Sequence, residues 1–136
     1  MFAKTQMGGL DFAIPDVCLT PVPTPAGPVP VPIPYPNLAL PMTAIPTQFN
    51  VMTVCMPNHN LATITPMSNG DNGGVMGNPL SGMDMGPSKN LVGSFTTLIG
   101  GMPATTMLKP SGQNGLSPGA FGMSMLPSQV SLMILS

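Results

Sequence analysis

Charge is what this sequence has least of. Its 136 residues include three lysines, four aspartates and no arginine or glutamate, so charged residues make up 5% of the chain, whereas an average globular domain devotes roughly a quarter of its residues to charge. Three scattered lysines cannot form the basic cluster that binds phosphates, and we expect no nucleic-acid partner. A surface this poor in charge is typical of one covered by a partner, unless Ser, Thr, Asn and Gln supply the solvation.

Catalytic side chains are equally scarce. One histidine, four aspartates and no glutamate offer little for general acid–base chemistry, and no serine lies in a nucleophile-elbow sequence. The Gly-rich run at 69–74 (NGDNGG) lacks the Lys-Ser/Thr of a phosphate loop and has too few carboxylates for a calcium loop. We therefore expect no enzymatic activity and assign this run to a surface turn.

Long apolar runs are absent as well. Pro, Gly or a polar residue interrupts each run well short of the roughly 18 residues that a spanning helix needs. The first residues (MFAKTQMGG) contain no apolar signal region. We expect a protein that starts in the cytoplasm and does not insert stably into a membrane. In a reducing cytosol, Cys18 and Cys55 are expected to be free or metal-bound.

Proline and glycine are abundant instead. Nineteen prolines and sixteen glycines leave no room for long helices, because proline in a helix interior removes a hydrogen bond and clashes with the preceding turn. Such a composition often signals disorder, but the low net charge and three short apolar runs at 49–54, 91–99 and 130–135 argue against it. These runs are bounded by turn formers, which predicts β-strands and an all-β fold.

A short motif recurs at intervals of about 40 residues: MTAIPTQ at 42–48, MDMGPSK at 83–89 and MSMLPSQ at 123–129. VCMP at 54–57 likewise matches GGMP at 100–103. Units this short must bury their apolar faces against one another. We predict a small three-fold pseudosymmetric β-prism or cone built from about three repeats, with Met42, Met83 and Met123 at one level of its core.

The whole chain, 1–136, is predicted to be a single domain. Its arms are 1–41, 42–82, and 83–136 with a closing strand. The Pro-rich segment 21–36 alternates proline with small or apolar residues, which predicts extended polyproline-like chain and excludes a central strand. We expect this segment to lie along the body and cover an open strand edge.

Three stretches carry a family resemblance: 15–21 (PDVCLTP), 32–37 (PIPYPN) and 92–104 (VGSFTTLIGGMPA). Together they resemble the PAAR-like proteins, which cap the spike of contractile injection machines such as the type VI secretion system. The Pro-Ala-Ala-Arg that names the family falls at 103–106, which reads PATT here, so the arginine is missing. The resemblance implies a short β-cone with three-fold pseudosymmetry, which agrees with the internal repeat.

The resemblance also implies a function and a partner. The chain would cap a homotrimeric spike protein of the valine-glycine repeat type, one tip per trimer, since one chain can satisfy three identical subunits only by repeating its docking surface. It would sharpen the spike for membrane puncture, assemble in the cytoplasm, and be exported at the tip into the target cell with effector cargo. Because Ser136 follows the last predicted strand, we expect no attached toxin domain. The predicted docking residues are Leu91, Val92, Phe95, Leu98, Ile99, Val130, Leu132 and Ile134.

PAAR-like proteins often hold a metal near the apex with histidines and a cysteine. Here Cys18, Cys55 and His59 are ligand types that zinc prefers, and Cys55-x3-His59 spacing can bring two ligands to one ion. One zinc ion is therefore a candidate, with Asp16 or solvent completing the site; two free thiols and a loop histidine are the alternative. Two other functions stay open, namely a phage tail-spike tip and a Met/Cys/His-rich metal-binding protein that uses the fourteen methionines.

Overall fold

The computed structural model describes every residue except Pro118 and Ser136. The described residues form eleven β-strands and one 3-10 turn at Pro41–Thr43, which confirms the all-β prediction. Among the described residues, no helix combines the length and the apolar composition that are needed to cross a bilayer. The strands are β1 (Leu10–Thr24), β2 (Gly27–Ala39), β3 (Met52–Thr53), β4 (Met56–Pro57), β5 (Ile64–Thr65), β6 (Ser68–Asn69), β7 (Ser88–Asn90), β8 (Leu98–Ile99), β9 (Met102–Pro103), β10 (Pro110–Gln113) and β11 (Ala120–Leu126).

Most of the strands belong to one antiparallel sheet. Its order is β5-β7-β10-β11-β1-β2-β6, while β3–β4 and β8–β9 form two separate hairpins. The strands outside β1, β2 and β11 have two to four residues each. Frequent proline and glycine explain these short elements, because each one interrupts the hydrogen-bonded ladder or introduces a turn.

Three segments, 2–6, 57–61 and 103–107, join one another through a closed ring of backbone hydrogen bonds. The N–H of Lys4 donates to the carbonyl of Thr105 at 2.9 Å, Thr105 donates to His59 at 3.2 Å, and His59 donates to Lys4 at 2.9 Å. A second ring has the same form: Gln6 to Pro57 at 3.1 Å, Leu61 to Pro103 at 3.0 Å and Met107 to Phe2 at 3.0 Å. Within each ring, every segment donates to one neighbour and accepts from the other, and the second ring runs in the opposite direction to the first. A three-fold pseudoaxis therefore relates the three backbones.

A hairpin precedes each of these segments. β3–β4 leads into 57–61 and β8–β9 leads into 103–107. The third hairpin is formed by two segments that are distant in sequence, 1–3 and 130–135, which are joined by a single β-bridge between Phe2 and Met133. Equivalent bonds close all three hairpins: Asn58 to Val51 at 2.9 Å, Ala104 to Thr97 at 2.9 Å and Ala3 to Leu132 at 3.0 Å. The equivalent positions are therefore fixed by hydrogen bonding, and they differ from those of the predicted methionine repeat.

The predicted methionine layer is wrong. Met42, Met83 and Met123 are 55%, 45% and 43% exposed, so they do not fill the core. Buried apolar side chains are few and small, with Ala3, Ile99, Ala104 and Ile134 forming one cluster. The largest fully buried side chains are instead polar, and they include His59, Gln113, Asn37, Asn58 and Asn60. Buried polar groups are costly unless hydrogen-bonded. The side chains of Asn37 and Asn60 donate hydrogen bonds, whereas the side-chain oxygen and nitrogen of Gln113 have no partner among the described residues.

The Pro-rich segment forms a two-stranded ribbon with the end of β1. Pro21 faces Pro30 and Pro23 faces Pro28 across the ribbon. Since proline has no N–H, these must be the non-hydrogen-bonded pairs of the ladder, and the residues between them supply the cross-strand bonds. The outward-facing positions therefore lack donors, which blocks the addition of another strand at the ribbon's edges.

The ribbon's position differs from the prediction. Residues 23–26 and 28–32 are exposed, and β2 pairs with β6 only at Leu38 and Ala39. The chain is extended as predicted, but it folds back on itself and does not cover an edge of the body. Its outer edge makes backbone hydrogen bonds at Leu19 of β1, where proline is absent. The Leu19 N–H donates to the carbonyl of Gly77 at 2.9 Å, and the Leu19 carbonyl accepts the N–H of Met76 at 3.2 Å.

Two equivalent hairpin turns have different residues at the same left-handed backbone positions. The β3–β4 turn has Val54 and Cys55 at φ of 54° and 61°, and the β8–β9 turn has Gly100 and Gly101 at 62° and 80°. L-residues in this conformation are strained by roughly 1–2 kcal/mol each, whereas glycine is not. The β3–β4 turn therefore carries backbone strain that its counterpart avoids.

Exchanging residue types between the two turns tests this difference. We expect Cys55→Gly to raise the free energy of unfolding by about 0.5–1 kcal/mol, because relief of strain exceeds the entropy that glycine adds to the unfolded chain. Gly101→Ala is the matched reverse change, since an added Cβ there meets no atom within 4 Å. Urea unfolding should show a loss of about 1 kcal/mol for that variant. Changes of the same sign in both variants would contradict the equivalence of the turns.

Candidate functional site

Apolar side chains on the three hairpins are exposed in equivalent sets of three. Phe49, Phe95 and Val130 occupy matching positions and are 60%, 86% and 70% exposed. Two further exposed sets occupy matching positions: Met52, Leu98 and Met133, and Met1, Met56 and Met102. We call the exposed side chains of 49–56, 95–102 and 130–135, together with Met1, the base face. Large exposed apolar surfaces mark sites of interaction.

An open groove crosses the base face and has a volume of about 600 Å³. All three hairpins contribute to its walls, through Val51 and Asn58, Thr96 to Ile99, and Leu132 to Leu135. The base face contains no charged side chain. A surface complementary to the base face would therefore be apolar. Unpaired backbone groups of the hairpin strands could add hydrogen bonds to such a surface.

The predicted docking residues fall into three groups. Phe95, Leu98, Val130 and Leu132 are exposed on the base face. Leu91 and Val92 are half-buried, and Ile99 and Ile134 are buried in the small apolar cluster. Phe49 and Met52 are exposed on the base face but are not among the predicted docking residues, although the match of VCMP to GGMP aligns Phe49 with Phe95.

A second candidate site lies inside the molecule, where Asp16, Cys18 and Asp71 form what we call the acid–thiol cluster. Asp16 and Cys18 are two residues apart on β1 and therefore share a face of the strand. The Cys18 Sγ lies 3.6 Å from Asp16 Oδ1 and 3.6 Å from Asp71 Oδ2. A Cβ at Gly74 would lie 2.2 Å from the Cys18 Cβ, so the loop that carries Asp71 can approach β1 only with glycine there.

Three asparagine amides hold the Asp16 carboxylate. Asn37 Nδ2 donates to Oδ2 at 2.7 Å, and Asn78 and Asn114 donate to Oδ1 at 2.8 and 3.3 Å. All three asparagines are buried. Amide donors compensate the buried negative charge and fix the orientation of the carboxylate. Asp71 is less well supported, because Oδ2 accepts the Met85 N–H at 3.2 Å while Oδ1 has no partner.

The acid–thiol cluster concentrates negative charge in a buried space. Burial, followed by the charges of Asp16 and Asp71, raises the pKa of the Cys18 thiol to about 12. Burial also raises the pKa of Asp71, and the Asp16 charge adds to that rise. The three ligand atoms lie within 4.8 Å of one another, which is close enough to share a metal ion. A bound cation would relieve the repulsion and favour the thiolate.

The structure does not bring the predicted ligands Cys18, Cys55 and His59 together. Cys55 is exposed in the β3–β4 turn, and His59 is buried at the three-fold ring. Cys18 instead has Asp16 beside it, a residue that the sequence suggests only as an additional ligand. Asp71 is not among the predicted ligands, because its Gly-rich run is typical of a surface turn. Its neighbours Gly70, Asn72 and Gly73 are exposed, but the Asp71 side chain is fully buried.

A buried ion pair lies close to the three-fold ring. Lys4 Nζ is 2.9 and 2.7 Å from the two oxygens of Asp11, and it donates to Asn90 Oδ1 at 3.1 Å. Ser124 Oγ donates to the same aspartate. Burial lowers the pKa of Lys4 while Asp11 opposes that change. Burial and the Lys4 charge lower the pKa of His59 to about 4, so this histidine is neutral in the folded protein near neutral pH.

Comparison with known proteins gives one family match. A family model described as a toxin PAAR-like domain matches residues 9–119, which is most of the chain. The matched span contains all of β1 to β10 and the complete acid–thiol cluster. The chain matches no curated protein and no solved structure.

The pKa of His59 predicts a pH dependence of stability. Between the ordinary histidine value of 6.5 and about 4, the unfolded chain binds a proton at this position that the folded chain does not. The free energy of unfolding should therefore fall as the pH drops through this window, by up to about 3 kcal/mol.

Urea unfolding of the wild type and of His59→Asn over this pH range measures the effect. The raised pKa values of Asp71 and Asp84 act in the opposite direction but are common to both proteins. The difference between the two curves therefore isolates His59 and should shrink as the pH falls. A difference that does not change with pH would show that His59 titrates normally in the folded state.

Proposed function

This chain belongs to the PAAR-like family of the type VI secretion kind, and from that premise we propose that it caps the trimeric spike of a contractile injection apparatus. The family places the chain in the spike-tip and toxin-delivery part of such machinery. Our proposal adds that one chain covers one homotrimeric spike protein of the valine-glycine repeat type. In this role the protein is structural, and it contributes a rigid end rather than a catalysed reaction.

The observation that carries the proposal is the three-fold arrangement of the base face. A homotrimer presents three identical surfaces at its end, and a single chain can contact all three equally only with three equivalent surfaces of its own. Phe49, Phe95 and Val130 form such a set, and they extend from hairpins related by equivalent backbone bonds. The base face therefore matches the symmetry of the proposed partner.

The chemistry of the base face supports the same partner. Its side chains are apolar and uncharged, as in the central part of a stable protein interface. Short hairpin strands at this face, such as β3 and β8, offer backbone groups for pairing with the strand ends of another chain. Coverage by the spike would also explain how a chain with 5% charged residues avoids self-association.

The Pro-rich ribbon supports the puncturing role. β1 leads from Asp11, near the three-fold ring, past the acid–thiol cluster to the turn at Pro25 and Ala26. The ribbon beyond Asp16 is about 25 Å long at the usual rise of a strand. Prolines fix φ on both strands and remove edge donors, which gives a narrow element that resists both bending and strand addition.

Export of the protein follows from its proposed position at the end of the spike. A tip protein assembles on the spike in the cytoplasm and leaves with it when the apparatus fires, so we propose export at the tip into the target cell. Effector cargo would bind to surfaces away from the base face. The exposed residues of the ribbon and of the loop that contains Val75 and Leu80 are accessible for such binding.

A zinc ion in the acid–thiol cluster is a second part of the proposal. Zinc bonds of about 2.3 Å to sulfur and 2.0–2.2 Å to oxygen in tetrahedral geometry place S and O roughly 3.6 Å apart. Both S–O distances in the cluster are 3.6 Å. A cation would balance the buried Asp71 carboxylate, whose Oδ1 has no partner in the described part of the chain, and the asparagine amides would support Asp16 as metal-ligand carboxylates usually are supported. The ion would cross-link β1 to the loop that contains Asp71.

Elemental analysis of protein purified without chelators tests the zinc site. We expect one zinc per chain in the wild type and in Cys55→Ser, and none in Cys18→Ala, because only Cys18 lies in the acid–thiol cluster. His59→Asn should also retain the ion. A wild type that remains metal-free after incubation with zinc, or loss of zinc from Cys55→Ser, would overturn this assignment.

Charge placed on the base face tests the docking proposal. We expect Phe49→Asp, Phe95→Asp and Val130→Asp each to weaken binding to the trimeric spike protein at least about tenfold, because a carboxylate would be buried in an apolar interface. These side chains are exposed, so stability should change little.

Leu80→Asp provides the matched control, since Leu80 is 75% exposed and lies outside the base face. Calorimetric titration of the four variants with the spike protein, together with their thermal unfolding, gives both quantities. Binding that is unaffected by all three base-face variants, or weakened equally by Leu80→Asp, would contradict docking through this surface.

A further inference from the structure

Lys4, Asp11 and Asn90 bring together an amine, a carboxylate and a carboxamide in a buried site. Lys4 comes from the three-fold ring, Asp11 from β1 and Asn90 from β7. They are 4%, 2% and 7% exposed, so bulk water has little access to them. We propose that Lys4 and Asn90 react with each other to form an intramolecular isopeptide bond, with Asp11 transferring the proton.

The contacts place the reacting groups next to each other. Lys4 Nζ is 3.1 Å from Asn90 Oδ1, and the side-chain carbonyl carbon lies about 1.2 Å from that oxygen. The amine is therefore in contact with the amide group that it would attack. Both Asp11 oxygens lie within 2.9 Å of the same Nζ, so the proton acceptor is already in position. Such alignment supplies much of the advantage of an intramolecular reaction.

The reaction balances without an added reagent. Asp11 accepts a proton from the Lys4 ammonium, and the neutral amine attacks the Asn90 carbonyl carbon. The nitrogen of the attacking amine loses a second proton, the Asn90 C–N bond breaks, and Nδ2 leaves as ammonia carrying that second proton. The products are a secondary amide between Lys4 and Asn90, a protonated Asp11 and free ammonia. Atoms and charge are conserved, and nothing is oxidised or reduced.

Burial favours this exchange. An ion pair inside a protein keeps a large desolvation penalty, whereas an amide and a protonated carboxyl are neutral. Burial lowers the pKa of Lys4, which increases the fraction of amine able to attack. Ammonia leaves for the solvent, where dilution opposes the reverse reaction. Before the reaction, Lys4 and Asp11 form a costly buried ion pair beside Asn90. After it, the side chains of all three residues are neutral.

The bond would join two parts of the fold that are distant in sequence. The segment at 2–6 supplies one third of the backbone rings and pairs with Met133, while β7 lies in the main sheet beside β10. A covalent link from Lys4 to Asn90 would prevent the 2–6 segment from separating from the body under load. This inference stands on the buried contacts alone and does not require the proposed spike partner.

Intact mass spectrometry of the unfolded wild-type protein is the primary test. The proposal predicts a mass lower than that of the sequence by one ammonia. Trypsin should then fail to cleave after Lys4, and the peptide that begins at Asn90 should remain attached to the peptide that contains Lys4. A protein with the full sequence mass, from which trypsin releases residues 1–4, would overturn the proposal.

Variants distinguish the cross-linking reaction from other reactions that release ammonia. Lys4→Arg, Asn90→Ala and Asp11→Ala should all have their full sequence masses, because each removes one of the three groups that the reaction needs. Lys89→Arg is the matched control, because it changes the neighbouring lysine of β7 and should retain the loss. A succinimide at an Asn-Gly pair such as Asn114-Gly115 also releases ammonia. If the Lys4→Arg variant still has a mass lower by one ammonia, succinimide formation is the source of the loss, and the cross-link is contradicted.

Discussion

The closed ring of backbone hydrogen bonds among Lys4, His59 and Thr105 is the constraint on which the rest of the structure depends. Three chain segments can bond in a cycle only if their backbones approach one axis closely. The space between them then accepts small or polar side chains, which explains why alanine, threonine and asparagine are buried at and beside the ring. Larger apolar side chains are directed outward, where the equivalent hairpins arrange them in threes.

Polar side chains in the interior and apolar side chains on the exposed hairpins reverse the usual pattern of burial. Several features of the fold can nevertheless be predicted from the sequence. Proline and glycine exclude long helices, so the all-β fold can be predicted from composition. The match of VCMP at 54–57 to GGMP at 100–103 correctly identifies two equivalent turns. Alternation of proline along β2 correctly indicates extended chain, because Pro28, Pro30, Pro32 and Pro34 fall at alternate positions where the ladder needs no donor.

The reversed pattern of burial also explains why some predictions from the sequence are wrong. A methionine core is the expectation because apolar residues are usually buried, but the largest fully buried side chains of this protein are polar. The third hairpin pairs Phe2 with Met133, a contact between residues so distant in sequence that no local pattern signals it. Asp71 lies among glycines that resemble a surface turn, and its burial depends on the close approach of Gly74 to Cys18. Site residues were therefore less predictable than the fold, since tertiary contacts alone bring them together.

The central claim is that one chain with three equivalent apolar surfaces binds one trimer. Native mass spectrometry of this protein mixed with the trimeric spike protein tests that claim most directly, because it counts the chains in the complex. The account predicts one copy of this chain for every three spike chains, even when this protein is in excess. Three copies per trimer, or no complex at concentrations where both proteins are folded, would contradict it.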